Sequence, residues 1–410
     1  MAKKILHLIE TLGHGGAEHQ LALAVTGLNR QKYESTVCHL YEPSHLRDPI
    51  TDAGIEVIGL GLRRSKKNWP VAVQRLAQIV RKRDVDLIHT SLFEADLLGG
   101  LVGLVTGVPV IGTLCNIGGE SVRLEDNPHL GAMKLHVSTK IWSIALRHLH
   151  RHSIAISHAV RDSAVRTFGL DASADRATVI YRAIHREPPN ITKDAVEALR
   201  RELNITNETP ILLHVGRLAP QKGQRYLLAA MPAVLRHNPR ARLLIVGEGW
   251  LRPTLVEQIK ALGIESSVSL LGRREDVAAL HQVSDIFVFP SLFEGLGVSL
   301  LEAANAGLAC VTSNVGPLPE ILEHEKSGLL VPAKDPSALA DSIIALISDD
   351  LLRRRLGERA KESVREKFSR AAMISGMEDL YDRLLGPQRA TDGRARLADI
   401  SETKHSLPPG

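Results

Sequence analysis

The sequence predicts an α/β protein of two doubly wound, Rossmann-like domains that face each other across a cleft. Three observations predict it. Short apolar, β-branched runs alternate with helical stretches along most of the chain. The alternation breaks once, near residues 187–209, and then restarts. The chain has 410 residues, more than one ordinary core accommodates.

The first unit opens with Lys4–Ile9, a near-continuous apolar run of the kind a central parallel strand needs. A glycine-rich loop, Thr11–Glu18, and a helix over Glu18–Leu28 follow it. Strands are expected at Glu34–Leu40, Glu56–Gly59, Leu87–His89, Val110–Leu114, Ser153–Ser157 and Ala177–Tyr181. Helices are expected at Val71–Arg81, Ala95–Val105 and His158–Phe168. The uncharged stretch Leu97–Gly119 imitates a membrane span, but its glycines and Pro109 divide it into a buried helix and a strand.

Residues 187–209, with Pro188-Pro189 and a charged helix over Asp194–Glu202, read as an inter-domain connection. The second unit then supplies strands at Ile211–Val215, Arg242–Val246, Val268–Leu271, Asp285–Phe289, Ala309–Thr312 and Gly328–Val331. Helices are expected at Tyr226–His237, Asp276–Val283, Pro336–Ser348 and Leu351–Lys367. The boundaries are 1–186 for the first domain and 210–367 for the second. Residues 368–386 form a helix packing back toward the first domain, and 387–410 a disordered tail.

Composition narrows the function. Aromatics make up 3% of the chain, so ligand binding by rows of stacked rings is not expected. The net charge of +5 suits anionic ligands or an anionic membrane surface. No zinc-finger spacing or basic-region heptad points to nucleic acid. The cysteines Cys38, Cys115 and Cys310 form no CxxC pair and read as reduced thiols. Met1-Ala-Lys-Lys4 runs straight into a strand rather than a signal peptide, so a cytoplasmic protein is expected, peripheral at most to the inner face of the membrane. The basic loop Arg63–Trp69 is the candidate for lipid contact.

The densest chemistry lies at Phe289–Glu302. A strand ends at Pro290-Ser291, Gly295 and Gly297 make a turn, and a helix starts at Val298. That arrangement aims backbone N–H groups and a helix N-terminus at an anion. Glu294 stands in the loop and Glu302 about two turns into the helix. The pair either holds two hydroxyl-bearing parts of one ligand, or caps a helix and lines a solvated face. Gly216-Arg217…Lys222-Gly223 forms a second glycine-flanked loop with two cations. Gly13-x-Gly15-Gly16 either lets a ligand approach bare backbone or opens a dinucleotide fold, although it lacks the full fingerprint. Asp84-Val-Asp86 and Arg147–His152 read as a strand start and a helix end, so no metal site is expected.

Taken together, Glu294-x7-Glu302, Gly216-Arg217…Lys222-Gly223 and Gly15-Gly16-Ala17-Glu18 resemble the retaining glycosyltransferase family 4, with its GT-B fold. Ala155-Ile-Ser157, Val246–Gly249, Leu271-Gly-Arg273 and Pro319-Glu320 support the resemblance, which covers residues 4–385. It implies transfer of a hexose-type sugar from a nucleoside diphosphate sugar to an acceptor hydroxyl, in polysaccharide or glycolipid synthesis, without a metal or other cofactor. Arg217 and Lys222 would hold the diphosphate, and Glu294 would face the sugar. Glu302 would accept from the ribose hydroxyls. Backbone from Gly295 through Leu296, Gly297, Val298 and Ser299 would reach sugar and phosphate. Arg273 would stand near the base, and Gly15 and Gly16 would close on the diphosphate. Glu320 matches without an assigned role.

The sequence departs from the family where many relatives carry a histidine. Here Cys115 precedes Asn116, and His14 or His89 would substitute if an imidazole is needed. Leu296 and Ala309 replace a usual aromatic and a usual proline. The rival readings are a UDP-sugar 2-epimerase or phosphorylase on the same fold, and a non-catalytic nucleotide-sugar-binding protein.

Overall fold

The computed structural model describes residues 2–13, 15–117, 131–171, 176–184, 191–206 and 208–386. The predicted tail at 387–410 and His14 lie outside the described residues.

The first sheet is parallel and seven-stranded. Its strands are β1 (Lys3–Ile9), β2 (Tyr33–His39), β3 (Glu56–Gly59), β4 (Leu87–Ser91), β5 (Val110–Leu114), β6 (His152–Ala155) and β7 (Ala177–Val179). They run in the order β3-β2-β1-β4-β5-β6-β7. β4 is buried along its whole length, as a central strand covered on both faces must be. On one face lie α3 (Trp69–Arg83), α4 (Phe93–Thr106), α5 (Ala132–His148) and α6 (His158–Phe168), each packed on the next. α1 (Gly16–Val25) and α2 (Arg47–Asp52) cover the other.

The second sheet is parallel and six-stranded, in the order β10-β9-β8-β11-β12-β13. Its strands are β8 (Ile211–Val215), β9 (Arg242–Val246), β10 (Val268–Gly272), β11 (Ile286–Phe289), β12 (Ala309–Ser313) and β13 (Leu329–Val331). Its helices are α8 (Gln224–His237), α9 (Arg252–Leu262), α10 (Val277–Val283), α11 (Val298–Asn305), α12 (Leu318–Ile321), α13 (Pro336–Ser348) and α14 (Asp350–Lys367). Within the connection, α7 (Lys193–Glu202) packs against α10. The chain then returns. α15 (Arg370–Leu385) lies on α1, and Met373, Met377, Leu380 and Tyr381 join Ile5 and Ala24 in one buried cluster. Tyr33 donates to the Asp382 carboxylate, tying β2 to that helix.

Apolar packing continues between the domains. Ile156 and Val160 of the first share a buried cluster with Leu296 and Leu318 of the second.

Among the described residues, the structure adds four α-helices that the sequence reading did not give: α2, α5, α9 and α12. The pattern of α5 hides its period because its outward side is apolar too: Met133, Val137, Ile141 and Ile144 are exposed. The Arg147–His152 run is also not simply a helix end. His150 and His152 are buried, and His150 Nε2 bonds the Asp96 carbonyl at 3.0 Å.

Candidate functional site

Sheet order decides where the chemistry sits. In a doubly wound sheet, ligands lie beyond the carboxyl ends of the strands at the point where the chain reverses its direction of growth. In the second sheet that point falls between β8 and β11, which pair directly (Ile286 with Leu212, Phe287 with Leu213). The loop after β8 carries Arg217 and Lys222, and the loop after β11 carries Glu294–Gly297. Two loops far apart in sequence therefore meet.

Their meeting is specific. Lys222 Nζ donates to Glu294 Oε1 at 2.5 Å, with both side chains largely buried. The same ammonium stands 5.0 Å from the centre of the Phe289 ring. Gln221 Nε2 donates to the Phe293 carbonyl at 3.0 Å, and the Leu292 amide donates to the Gln221 carbonyl at 2.7 Å. Arg217, exposed at the loop tip, donates from Nη2 to Gln221 Oε1 at 3.1 Å. Gly223 makes the approach possible. Its φ is +68°, and a Cβ there would lie 2.0 Å from the Pro290 carbonyl oxygen.

This ion pair stands in the loop that leads into α11. Gly297 is the N-cap and no side chain caps the helix, so the Val298 and Ser299 amides have no acceptor within it. The helix starts at Val298, which places Glu302 just over one turn in rather than two. Glu302 is half-buried. The Leu296 side chain is 2% exposed and belongs to the core, so it offers nothing to a ligand. Arg273 is exposed at the end of β10. Its neighbour Arg274 is the committed residue, held by Glu202 and Asp276.

On the first domain, Gly15 is the N-cap of α1 and its carbonyl accepts from the His19 amide at 3.1 Å. Among the described residues, no heavy atom beyond its chain neighbours lies within 4 Å of where a Gly16 Cβ would stand. Asn116 is exposed. His89 is not poised for an acceptor. Its Nδ1 meets the Tyr381 hydroxyl at 2.6 Å and its Nε2 the Thr113 hydroxyl at 2.7 Å. Burial pushes its pKa down to about 4, so it is neutral and structural. Cys115 lies 2.6 Å from Arg182 Nη2, and burial raises its thiol pKa. His89, Thr113, Tyr181 and Arg182 line a cavity of about 50 Å³ between β4–β7, α1 and α15.

The two domains touch at this same loop. Ser157 Oγ, at the N-cap of α6, donates to the Gly295 carbonyl at 2.8 Å and accepts from the Val160 amide at 3.1 Å. A Cβ on Gly295 would lie 2.1 Å from the Cys115 carbonyl oxygen. Glu320 gains a place the sequence did not assign. Its carboxylate accepts from the His158 and Ala159 amides at 3.0 and 2.8 Å and from the Tyr181 hydroxyl at 2.8 Å. A carboxylate of the second domain thus caps a helix of the first, where the helix dipole favours negative charge. The sequence signal was available for Ser157, a serine just ahead of a helical run. It was absent for Gln221 and Tyr181, which act through tertiary contacts.

The remaining sequence candidates have other partners. Asp84 is the C-cap of α3 rather than part of a strand, and Asp86, whose carboxylate accepts from the Lys4 amide at 2.8 Å, stands just ahead of β4. Among the described residues no group of three or more His, Cys, Asp or Glu side chains could hold a metal ion. In the basic loop, Arg64 is committed to Glu10 and Glu94. Cys38 and Cys310 are free, buried thiols.

Comparison with known proteins agrees with this arrangement. Residues 14–187 match the family model described as Glycosyltransferase Family 4, and residues 195–363 that described as Glycosyl transferases group 1. The chain is 34% identical over 183 residues to N-acetyl-alpha-D-glucosaminyl L-malate synthase of Bacillus anthracis, covering 45% of this chain and 48% of that one. It is 33% identical over 221 residues to D-inositol 3-phosphate glycosyltransferase of Corynebacterium glutamicum, covering 52% and 53%. The chain spans about half the length of these curated relatives. Its fold matches the crystal structure of Anabaena HepE in complex with UDP-glucose, with a TM-score of 0.78, 22% identity and coverage of 93% of this chain and 99% of that one. The two family models follow one another along the chain, one over most of each domain, and the chain belongs to glycosyltransferase family 4, the group 1 glycosyl transferases, on the GT-B fold.

Proposed function

We propose that the protein is a retaining glycosyltransferase that moves a hexose-type sugar from a nucleoside diphosphate sugar to an acceptor hydroxyl. The observation that carries the reading is the pairing of Lys222 with Glu294 in the loop that leads to the uncapped N-terminus of α11 and touches the other domain, with Arg217 held by Gln221 on the facing loop. A departing nucleoside diphosphate develops about two negative charges, and preorganised cations and amides stabilise charge that develops in the transition state. Arg217 grips a phosphate through two N–H groups, and Lys222 follows it as a point charge. Glu294 orients Lys222 and faces the sugar hydroxyls. Glu302 accepts from the ribose.

Retention follows if the acceptor attacks the face the diphosphate leaves and a phosphate oxygen takes its proton. No protein base is then required. The structural roles of His89 and Cys115 support that route, since neither is presented as a base. The donor would bind without a metal or other cofactor, the cations above meeting the phosphate charge.

HepE was solved with UDP and with UDP-glucose, which puts UDP-sugars first among candidate donors. The acceptors named for the relatives, L-malate, inositol phosphate and a lipid diphosphate, favour an anionic or lipid-linked acceptor in envelope glycan or glycolipid synthesis. The protein would work in the cytoplasm, at the inner face of the membrane. No helix among the described residues is long and apolar enough to cross it.

The test is thermal stabilisation by UDP-, GDP- and ADP-sugars, repeated with Glu302→Ala and Arg217→Ala. One donor should stabilise the wild type and lose its effect in both variants. Binding that survives both substitutions overturns the site. Product formed without an added acceptor would favour the epimerase reading.

A further inference from the structure

Seven of the ten large apolar side chains exposed among the described residues lie on two neighbouring helices, α4 and α5. On α4 they are Leu101, Leu104 and Val105, at helical spacing on one side. On α5 they are Met133, Val137, Ile141 and Ile144, spaced by four, four and three residues into one stripe. Both helices cover the same face of the first sheet, and both stripes point away from it. Met133 is 76% exposed, Leu104 70% and Ile144 54%. Single exposed apolar residues need no explanation, whereas a cluster on two adjacent helices does.

Among the described residues, the charges on α5 and at the C-terminal end of α4 are basic. α5 contains no acidic residue and carries exposed Lys134, Lys140 and Arg147. α4 carries its two acidic residues, Glu94 and Asp96, in its first turn, away from Leu101, Leu104 and Val105. Arg151 follows α5 and is exposed, and Arg81 of α3 donates to the Val105 carbonyl at 3.0 Å, placing a guanidinium at the end of the α4 stripe. An apolar stripe flanked by cations is the composition of a helix that lies in a membrane interface. A symmetric dimer through this face would bring like charges together.

We propose that the outer face of α4 and α5 docks on an anionic lipid bilayer. The apolar stripes enter the headgroup boundary and Lys134, Lys140, Arg147 and Arg81 meet the lipid phosphates. The surface differs from the basic Arg63–Trp69 loop, where Arg64 is already neutralised by two carboxylates. The inference does not depend on the donor site, which lies on the other domain.

The experiment is co-sedimentation of the full chain with vesicles of pure phosphatidylcholine or of phosphatidylcholine rich in phosphatidylglycerol, at low and high salt. Binding should require phosphatidylglycerol and weaken with salt. Leu104→Glu with Ile144→Glu, and separately Lys134→Glu with Lys140→Glu, should each lower the partition coefficient about tenfold or more. Arg63→Glu with Lys66→Glu should leave it unchanged. Absence of binding at low salt, or binding that survives both pairs of substitutions, overturns the proposal. So does a dimer in sedimentation equilibrium that Leu104→Glu with Ile144→Glu dissociates, since the face would then be a self-interface. Sugar-nucleotide stabilisation measured on the same variants should be unchanged, which separates failure here from failure of the proposed donor site.

Discussion

Ser157 Oγ donates to the Gly295 carbonyl at 2.8 Å, joining the N-cap of a first-domain helix to the loop that carries Glu294. The geometry of the Glu294 loop is thereby coupled to the placement of the first domain. Ser157→Ala removes this bond and a helix cap together, at a cost of about 1–2 kcal/mol. A lower melting temperature and weaker donor stabilisation are expected. An unchanged donor affinity at the lower melting temperature would reduce Ser157 to a simple cap.

Glu320→Gln tests the second link between the domains. It keeps an acceptor for one amide but removes the negative charge at the N-terminus of α6. A loss of about 1 kcal/mol in stability is expected, falling with added salt. Urea denaturation at two salt concentrations reads it.

Gly295→Ala places a methyl group 2.1 Å from the Cys115 carbonyl oxygen. Backbone cannot yield as a flexible side chain can, so the domains must separate locally. The expected result is loss of transfer with each domain still folded. Far-UV circular dichroism and small-angle scattering, compared with activity, would show it. Full activity would mean that the loop relaxes within the second domain.

Lys222→Met leaves the buried Glu294 carboxylate without its partner. Breaking a buried pair on one side costs about 3–5 kcal/mol. Combining it with Glu294→Gln should recover much of that stability without recovering donor binding. Melting curves of the two variants, with and without nucleotide sugar, separate the structural role of the pair from its binding role.

Acid sensitivity follows from buried histidines. Burial lowers His89, His150, His214 and His281 to about 4, whereas unfolded histidine titrates near 6.5. Between those values the unfolded chain binds protons that the folded chain refuses, so stability is lost as pH falls from about 6.5 toward 4. Asp96 works in the opposite direction, because burial raises it to about 7 and the folded state holds its proton more tightly. Four titrations outweigh one, so the melting temperature should drop from pH 7.5 to 5. Asp96→Asn should steepen that drop.

The strands were legible because each is a short apolar run bounded by turn residues. Ile211–Val215 and Val110–Leu114 stand where the residues place them. Helix α5 was not legible, because an apolar outward side removes the periodicity that marks a helix. Of the site, Lys222 and Glu294 could be singled out by residue type and glycine context. Their 2.5 Å contact could not, since it depends on β8 and β11 being neighbours.

Local sequence by itself determined the elements, the glycine turns and the residue types available at the ends of the strands. Those follow from propensity, periodicity and backbone sterics, which act over a few residues. Only the tertiary structure decided which ends meet. It paired Lys222 with Glu294 and set Glu320 on a helix of the other domain. It also withdrew His89 from the acceptor side by engaging both its ring nitrogens. The physical reason is that hydrogen bonds and ion pairs are decided by separations of a few ångströms. Residues far apart in the chain reach those separations only after sheet order and domain packing are fixed.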